Sequence, residues 1–198
     1  MSSETARASV HEADQTQLDG LAAEVFELMS RQRHVLVTAE SCTAGLIAAT
    51  LSRVPGMSRC LAGAFVVYQS ESKTAWLDVP ASLIERCHVV SREVAEAMAV
   101  QALRKTPLGS IAVSITGHLG PGAPADLDGV AWVGWSVRHG SAESFRMNLD
   151  EESGRIALTG GNEATADGEW HLLRRHQRQQ RAVTGVLQFL CRRLSESA

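Results

Sequence analysis

The sequence predicts an α/β fold built on a mixed β-sheet. Up to Tyr68, short apolar runs alternate with segments of helical periodicity in the order α-β-α-β. Two later apolar runs, Val130–Val137 and residues 144–149, are joined by the short polar link Arg138–Ser141, which predicts a hairpin with an antiparallel pair. The 198 residues suffice for one well-buried domain.

The first half of the chain supplies the elements of the α-β-α-β pattern. Residues 1–14 are expected to be frayed, so the domain begins near residue 15. Apolar side chains then recur at helical spacing over 18–29, which predicts an amphipathic helix. The elements that follow are a strand over Val35–Val37, a helix over Gly45–Leu51 and a strand over Leu61–Tyr68.

The second half contains two capped helices before the hairpin. Ser70 is predicted to cap a short helix that ends at Leu77, Pro80 suits a first helical turn, and Ser91 is predicted to cap a longer helix. The remaining elements are a helix over Glu93–Leu103, a strand over Ile111–Thr116, the hairpin, an irregular connection over 150–168 and a last helix over 171–194.

Composition excludes several classes of protein. The chain is 44% hydrophobic and 21% charged, and its net charge of −3 gives nucleic acid no general attraction. Its polar N-terminus and the absence of a long apolar run favour a cytoplasmic protein without membrane contact. The four cysteines are widely spread and form no C-x-x-C pair, so we expect reduced thiols and no metal site.

The segment Thr38–Gly45 is the first candidate for a functional site. It follows an apolar run and opens an apolar helical segment, so its hydroxyl groups and free backbone N–H groups lie at a strand-to-helix turn. Such a turn can hold an anion or expose Ser41 as a nucleophile. The alternative is that Ser41 and Thr43 merely cap the helix.

Tyr68 and Lys73 form a second candidate, since they flank the junction between the second strand and the helix after it. A lysine acts as a base only if its pKa falls from about 10.4 toward neutrality. A helix N-terminus contributes only about 0.3–1 kcal/mol to that change, so burial must supply the rest. The alternative is a solvated surface lysine.

Thr116 and Gly117 begin a glycine-rich segment after the third strand. Glycine lets backbone N–H groups approach a phosphate or carboxylate closely, although a plain turn is the alternative. The spacing matches neither G-x-G-x-x-G nor a Walker loop.

Together these segments resemble a known family, the C-terminal domain of the competence/damage-inducible protein CinA, which also occurs alone as nicotinamide-nucleotide amidohydrolase. The resemblance covers residues 15–149 and, weakly, the last helix. The residues that carry it are Ala39–Gly45, Tyr68 with Lys73, Val90-Ser91, Thr116–Pro121 and Gly129–Trp132.

The resemblance implies a three-layer α/β/α domain on a mixed five-stranded sheet. It also implies hydrolysis of the carboxamide of nicotinamide mononucleotide to the acid and ammonia, without a metal or other cofactor. The expected partner is therefore a small pyridine nucleotide. Self-association is common in the family, so the resemblance allows a homo-oligomer.

The same resemblance suggests roles for individual residues. Ser41 would attack the amide carbon, and neutral Lys73 would take its proton with Tyr68 as a relay. The backbone around Cys42, Thr43, Ala44 and Gly45 would stabilise the oxyanion, Thr116 and Gly117 would position the substrate, and Arg175 would match the family's arginine for its phosphate.

The chain departs from the family at Ala44, Ser70 and the pair His118-Leu119. These departures leave two other functions open. One is a non-catalytic nucleotide-binding or partner-docking module, and the other is a serine amidase for a different small amide.

Overall fold

A mixed sheet of five strands forms the centre of the protein in the computed structural model, which describes residues 3–150 and 166–196. The strands are β1 (Leu36–Glu40), β2 (Leu61–Val66), β3 (Ile111–Gly117), β4 (Val130–Val137) and β5 (Ala142–Asn148). The helices are α1 (Ser3–Gln32), α2 (Leu46–Ser52), α3 (Ser70–Leu77), α4 (Ala81–Cys87), α5 (Arg92–Lys105) and α6 (Ala166–Glu196), with a 3₁₀ turn at Met57–Arg59.

The strand order β2-β1-β3-β4-β5 brings three chain segments to one edge of the sheet. β1 runs parallel to β2 and β3, with Glu40 opposite Val66 on one side and Ile115 on the other. The segments that follow these strands therefore leave the sheet side by side. β3, β4 and β5 pair antiparallel, so the predicted hairpin and the mixed sheet are confirmed.

Helices cover both faces of the sheet, which confirms the three-layer fold. The larger core lies under α1, α2 and α6, and a smaller one lies under α3 and α5. α5 buries the face that the sequence predicted, Val94, Ala95, Met98, Ala99 and Ala102, and Ser91 caps it by accepting a hydrogen bond from the Val94 amide at 3.3 Å.

The ends of the chain differ from the expectation. α1 begins at Ser3, so residues 3–14 are helical rather than frayed. This stretch contains no glycine or proline and is rich in alanine and glutamate, which favours helix even without an apolar face. Most of the expected irregular connection, residues 151–165, lies outside the described residues, and α6 already includes residues 166–168.

Two observed boundaries, the end of β2 and the start of α3, differ from those predicted from the sequence. β2 ends at Val66 rather than Tyr68, because its partner β1 ends opposite it at Glu40. The N-cap of α3 is Gln69, and Ser70 is the first helical residue, so the predicted Ser70 cap is wrong.

Helix α5 lies unusually close to the sheet at Ala95. The hydroxyl of Ser114 on β3 donates to the Ala95 carbonyl at 2.6 Å. On β4, a Cβ at Gly134 would lie 2.3 Å from the same carbonyl oxygen, far inside van der Waals contact. Gly134 is thus required by packing between helix and sheet rather than by its backbone conformation.

We expect Gly134→Ala to destabilise the protein by about 1–3 kcal/mol, because the added methyl group must push α5 off the sheet. Thermal unfolding followed by circular dichroism measures the effect. Gly20→Ala is the matched control, since a Cβ at Gly20 in α1 meets nothing within 4 Å. That control should be neutral or stabilising by up to about 1 kcal/mol. Equal melting temperatures for the two variants would contradict the packing argument.

Candidate active site

Ser41 lies immediately after β1 at the edge of the sheet where the parallel strands end. Its backbone amide donates to the Ile115 carbonyl at 3.1 Å, which ties the start of the turn to β3. The residue is 7% exposed and lines a cavity of about 260 Å³. Tyr68, Thr116, Gly117 and Arg175 line the same cavity, so the structure brings together candidate residues from four separate segments.

The amine of Lys73 lies next to the Ser41 hydroxyl. Lys73 Nζ is 2.9 Å from Ser41 Oγ, 2.9 Å from the Val67 carbonyl oxygen and 3.3 Å from the Tyr68 carbonyl oxygen. The side chain is completely buried (0% exposed), and these three acceptors are uncharged. Lys73 is therefore not the solvated surface lysine of the alternative interpretation.

Burial lowers the pKa of Lys73 to about 8, against opposing influences from Cys42 and Glu71. An ammonium in this position donates to Ser41 Oγ and to both carbonyls. When it loses a proton, two N–H groups can still serve the carbonyls, and the remaining lone pair faces the serine hydroxyl. The geometry thus fits a base that accepts a proton from Ser41 near neutral pH.

The phenol of Tyr68 faces Arg175 of α6 rather than Lys73. Arg175 Nη2 donates to Tyr68 Oη at 2.5 Å, and its Nη1 donates to the Gly120 carbonyl at 2.6 Å. Tyr68 contacts Lys73 through its backbone carbonyl, while its side chain is 48% exposed. This geometry does not match the expected proton relay, because the phenol hydrogen bond is made to a guanidinium at the mouth of the cavity.

A buried carboxylate, that of Glu40, organises the turn around Ser41. It accepts five hydrogen bonds of 2.8 to 3.1 Å. The donors are the hydroxyls of Thr38 and Thr43 and the backbone N–H groups of Gly45, Ile47 and Ala48. Glu40 thereby satisfies N–H groups at the start of α2 and places negative charge at the positive end of that helix.

The role of Glu40 changes the interpretation of the residues after Cys42. Thr43 and Gly45 are bonded to Glu40, and neither they nor the exposed Ala44 is among the residues that line the cavity. The Ala44 amide donates to the Ser41 carbonyl. The Thr43 hydroxyl and the amides of Ala44 and Gly45 are therefore used within the turn, whereas the sequence analysis expected this backbone to face the substrate.

Cys42 lines the cavity, but its thiol is unsuited to act as a nucleophile. Burial raises its pKa to about 12, so the thiolate is absent near neutral pH. Its backbone carbonyl accepts a hydrogen bond from Gln179 of α6 at 3.1 Å. This contact fixes the residue after Ser41 to a helix more than a hundred residues later in the chain.

Thr116, Gly117 and His118 form the wall of the cavity that β3 contributes. The Thr116 hydroxyl donates to the Val89 carbonyl at 2.8 Å, which ties the end of β3 to the segment before α5. A Cβ at Gly117 would lie 2.8 Å from that of Ala131, so packing on β4 already requires this glycine. His118 also lines the cavity, and burial lowers its pKa despite the opposing charge of Asp128.

Charge is distributed unevenly around the site. Arg175 contributes a cation to the cavity, and no aspartate or glutamate is among its lining residues. A second cavity of about 320 Å³ adjoins it across the shared segment Leu119–Ala123. Within residues 3–150 and 166–196, no cluster of three or more metal-binding side chains occurs, and no helix is long and apolar enough to cross a membrane.

Glu40, which holds the turn, and Arg178, a buried residue of α6, had no assigned role from sequence. A carboxylate at the end of a strand, a few residues before a helix, is a sign of helix capping that could have pointed to Glu40. No local pattern singles out Arg178 among the neighbouring arginines Arg174, Arg175 and Arg181, and burial is what distinguishes it in the structure.

The fold and this site define a class, the three-layer α/β proteins in which a serine after the first parallel strand contacts a buried lysine. The model of the CinA C-terminal domain family matches residues 18–166, and the chain belongs to that family. A CinA-like protein of Myxococcus xanthus is 36% identical over 157 residues, which cover 78% of this chain and 37% of that relative. The chain thus spans little more than a third of the length of this curated relative.

Solved structures agree with this assignment. The crystal structure of the competence/damage inducible protein CihA from Agrobacterium tumefaciens is 27% identical with a TM-score of 0.72, covering 88% of this chain and 93% of that one. A CinA superfamily protein from Klebsiella pneumoniae has a TM-score of 0.74 at 24% identity, covering 90% and 98% of the two chains, and so supports the fold alone.

We expect Glu40→Gln to destabilise the protein by about 2–4 kcal/mol, since at least two of its five donors would face an amide NH₂ instead of an acceptor. Chemical denaturation measures the loss. The control is Glu85→Gln, which removes a negative charge from an exposed position on α4 and should change stability by less than about 0.5 kcal/mol. Similar unfolding free energies for both variants would show that Glu40 does not hold the turn.

Proposed function

We propose that the protein is an amidohydrolase that converts nicotinamide mononucleotide to nicotinate mononucleotide and ammonia. The observation that carries the proposal is the 2.9 Å contact between Ser41 Oγ and the buried Lys73 Nζ at the wall of a cavity that also contains Arg175. Membership of the CinA C-terminal domain family supports it.

The reaction begins with attack of Ser41 Oγ on the carboxamide carbon while its proton passes to neutral Lys73. As the tetrahedral intermediate collapses, Lys73 returns that proton to the leaving nitrogen, and ammonia departs. An ester between Ser41 and the nicotinoyl group remains. Water attacks this ester, Lys73 takes and returns a proton again, and the carboxylic acid is released with Ser41 restored.

Substrate binding is assigned to the cation at the mouth of the cavity. A mononucleotide carries a phosphate, and Arg175 offers a guanidinium where no carboxylate lines the wall. The Tyr68 phenol, which accepts a hydrogen bond from Arg175, belongs with it as a substrate-binding group rather than with Lys73. The adjoining cavity provides room for a ligand larger than a single pyridine ring.

We expect Ser41→Ala and Lys73→Met each to lower kcat by at least about 10²-fold, since one removes the nucleophile and the other its base. Ammonia release from nicotinamide mononucleotide is the measurement. Matched controls are Ser72→Ala and Lys105→Met, which alter a serine and a lysine outside the cavity and should retain activity.

Three results, one from that assay and two from further measurements, would count against the proposal. Full activity in Ser41→Ala would exclude the serine mechanism. Calorimetric binding of nicotinamide mononucleotide to the unaltered protein without ammonia release would favour the non-catalytic binding module, and release of ammonia from a different small amide alone would favour the other amidase.

The pH dependence of kcat/KM should follow the titration of Lys73. Because the neutral amine is the active form and its pKa is about 8, activity should rise with pH up to about 8 and level off above it. Below that pH the rate should fall about tenfold per unit, as the fraction of neutral amine falls. Initial rates at several pH values test this. A flat profile from about pH 7 to 9 would contradict the assignment of Lys73 as the base.

A further inference from the structure

Arg178 is a buried cation on α6 that lines the adjoining cavity of about 320 Å³ rather than the cavity that contains Ser41. Its side chain is 1% exposed and contacts two carboxylates. Nη1 and Nη2 donate to Asp128 at 2.6 and 3.0 Å, and Nε and Nη2 donate to Asp150 at 3.0 and 2.5 Å. These bonds, together with the nearby Arg174, lower the pKa of Asp150 to about 2 and also lower that of Asp128. We call Arg178, Asp128 and Asp150 the arginine clamp.

Two glycines leave the space that the arginine clamp occupies. A Cβ at Gly120 would lie 2.9 Å from both Arg178 Nη1 and Asp128 Oδ1. A Cβ at Gly129 would lie 2.8 Å from Asp150 Oδ2 and 2.9 Å from Arg178 Nη2. The segment that leads from β3 to β4 is therefore wrapped tightly around the guanidinium.

The same segment contacts the cation of the proposed substrate site. Gly120, which packs on Arg178, accepts the hydrogen bond from Arg175 Nη1 through its carbonyl. Arg175, Arg178 and Gln179 are three and four residues apart, so they lie on neighbouring parts of one helix face. Arg175 contacts Tyr68, and Gln179 contacts the Cys42 carbonyl. Arg178 is thus close to both residues on α6, and its guanidinium packs against Gly120.

Stability alone does not account for such an arrangement. A buried ion pair contributes little net free energy, because desolvation of the charges offsets their attraction, and apolar residues of similar volume often do as well. Two bidentate contacts with carboxylates instead fix the geometry of the guanidinium, because they restrain both its position and its rotation.

We propose that Arg178 is a positioning residue that sets the register of α6 on the segment between β3 and β4, where Gly120 lies. Arg175 is thereby held against Tyr68 before substrate arrives. The inference deepens the proposed function and rests on it only for the identity of the anion. A cation that is already in place loses less side-chain entropy on binding a phosphate.

The experiment uses the only tyrosine of the chain as a reporter. With ¹³Cζ-labelled tyrosine, Tyr68 gives a single resonance that is sensitive to the hydrogen bond from Arg175. Arg175→Met defines the resonance of the free phenol, and we expect Arg178→Met to move the peak to the same position. The double variant should show no additional shift, because both changes break the same contact. Arg193→Met, which removes another α6 ion pair far along the helix, should leave the peak unchanged.

A clamp with a purely structural role would lower the melting temperature of Arg178→Met and leave the Tyr68 resonance in place, and that result would overturn the proposal. If Arg178→Met does not fold, Asp128→Asn and Asp150→Asn replace it, since these carboxylates are about one-third exposed and leave the arginine with one partner. A peak that stays unchanged in both variants would overturn the proposal equally.

Kinetics provide a second readout that separates this inference from the proposed function. Arg178→Lys keeps the charge but loses the forked contacts, so KM for nicotinamide mononucleotide should rise about tenfold with kcat changed less than about twofold. Absence of ammonia release by the unaltered protein would defeat the proposed function, whereas the Tyr68 resonance, recorded without substrate, would still decide the role of Arg178.

Discussion

The structure around the site depends on one buried carboxylate. Glu40 ends the central parallel strand and binds three backbone N–H groups at the start of α2 and two threonine hydroxyls. Since a buried carboxylate is stable only when its oxygens are satisfied, the strand, the turn and the helix must keep one relative geometry. Ser41 is the next residue in the chain, so the same five hydrogen bonds hold the backbone from which its hydroxyl projects.

Burial of Lys73 is the point at which the packing of the fold affects the proposed reaction. α3 starts three residues before Lys73 and places its amine at the ends of β1 and β2, where uncharged oxygens accept its hydrogen bonds. A carboxylate beside the amine would hold the ammonium and prevent base catalysis, whereas desolvation lowers its pKa toward neutrality. The same packing that closes the smaller core therefore prepares the base of the proposed reaction.

Helix α6 completes the cavity from the far end of the sequence. Its residues reach the Cys42 carbonyl, the Tyr68 phenol and the Gly120 carbonyl, and these three groups belong to separate loops of the sheet edge. One helix thus closes a site that the strands leave open. The arginine clamp attaches this helix directly to Asp128 and Asp150, on either side of β4 and β5 in the chain.

Sequence by itself determined the alternation of strands and helices, the antiparallel hairpin, the buried face of α5 and the candidates Ser41 and Lys73, because periodicity and local turn chemistry are short-range properties. The family resemblance supplied the five strands, the three layers and the substrate of the proposed reaction. Only the tertiary structure decided that Glu40 caps α2, that the Tyr68 phenol faces Arg175 and that Arg178 is the buried arginine among four. These contacts join residues distant in sequence, or depend on which way a side chain turns, and both are set by burial that no local pattern records.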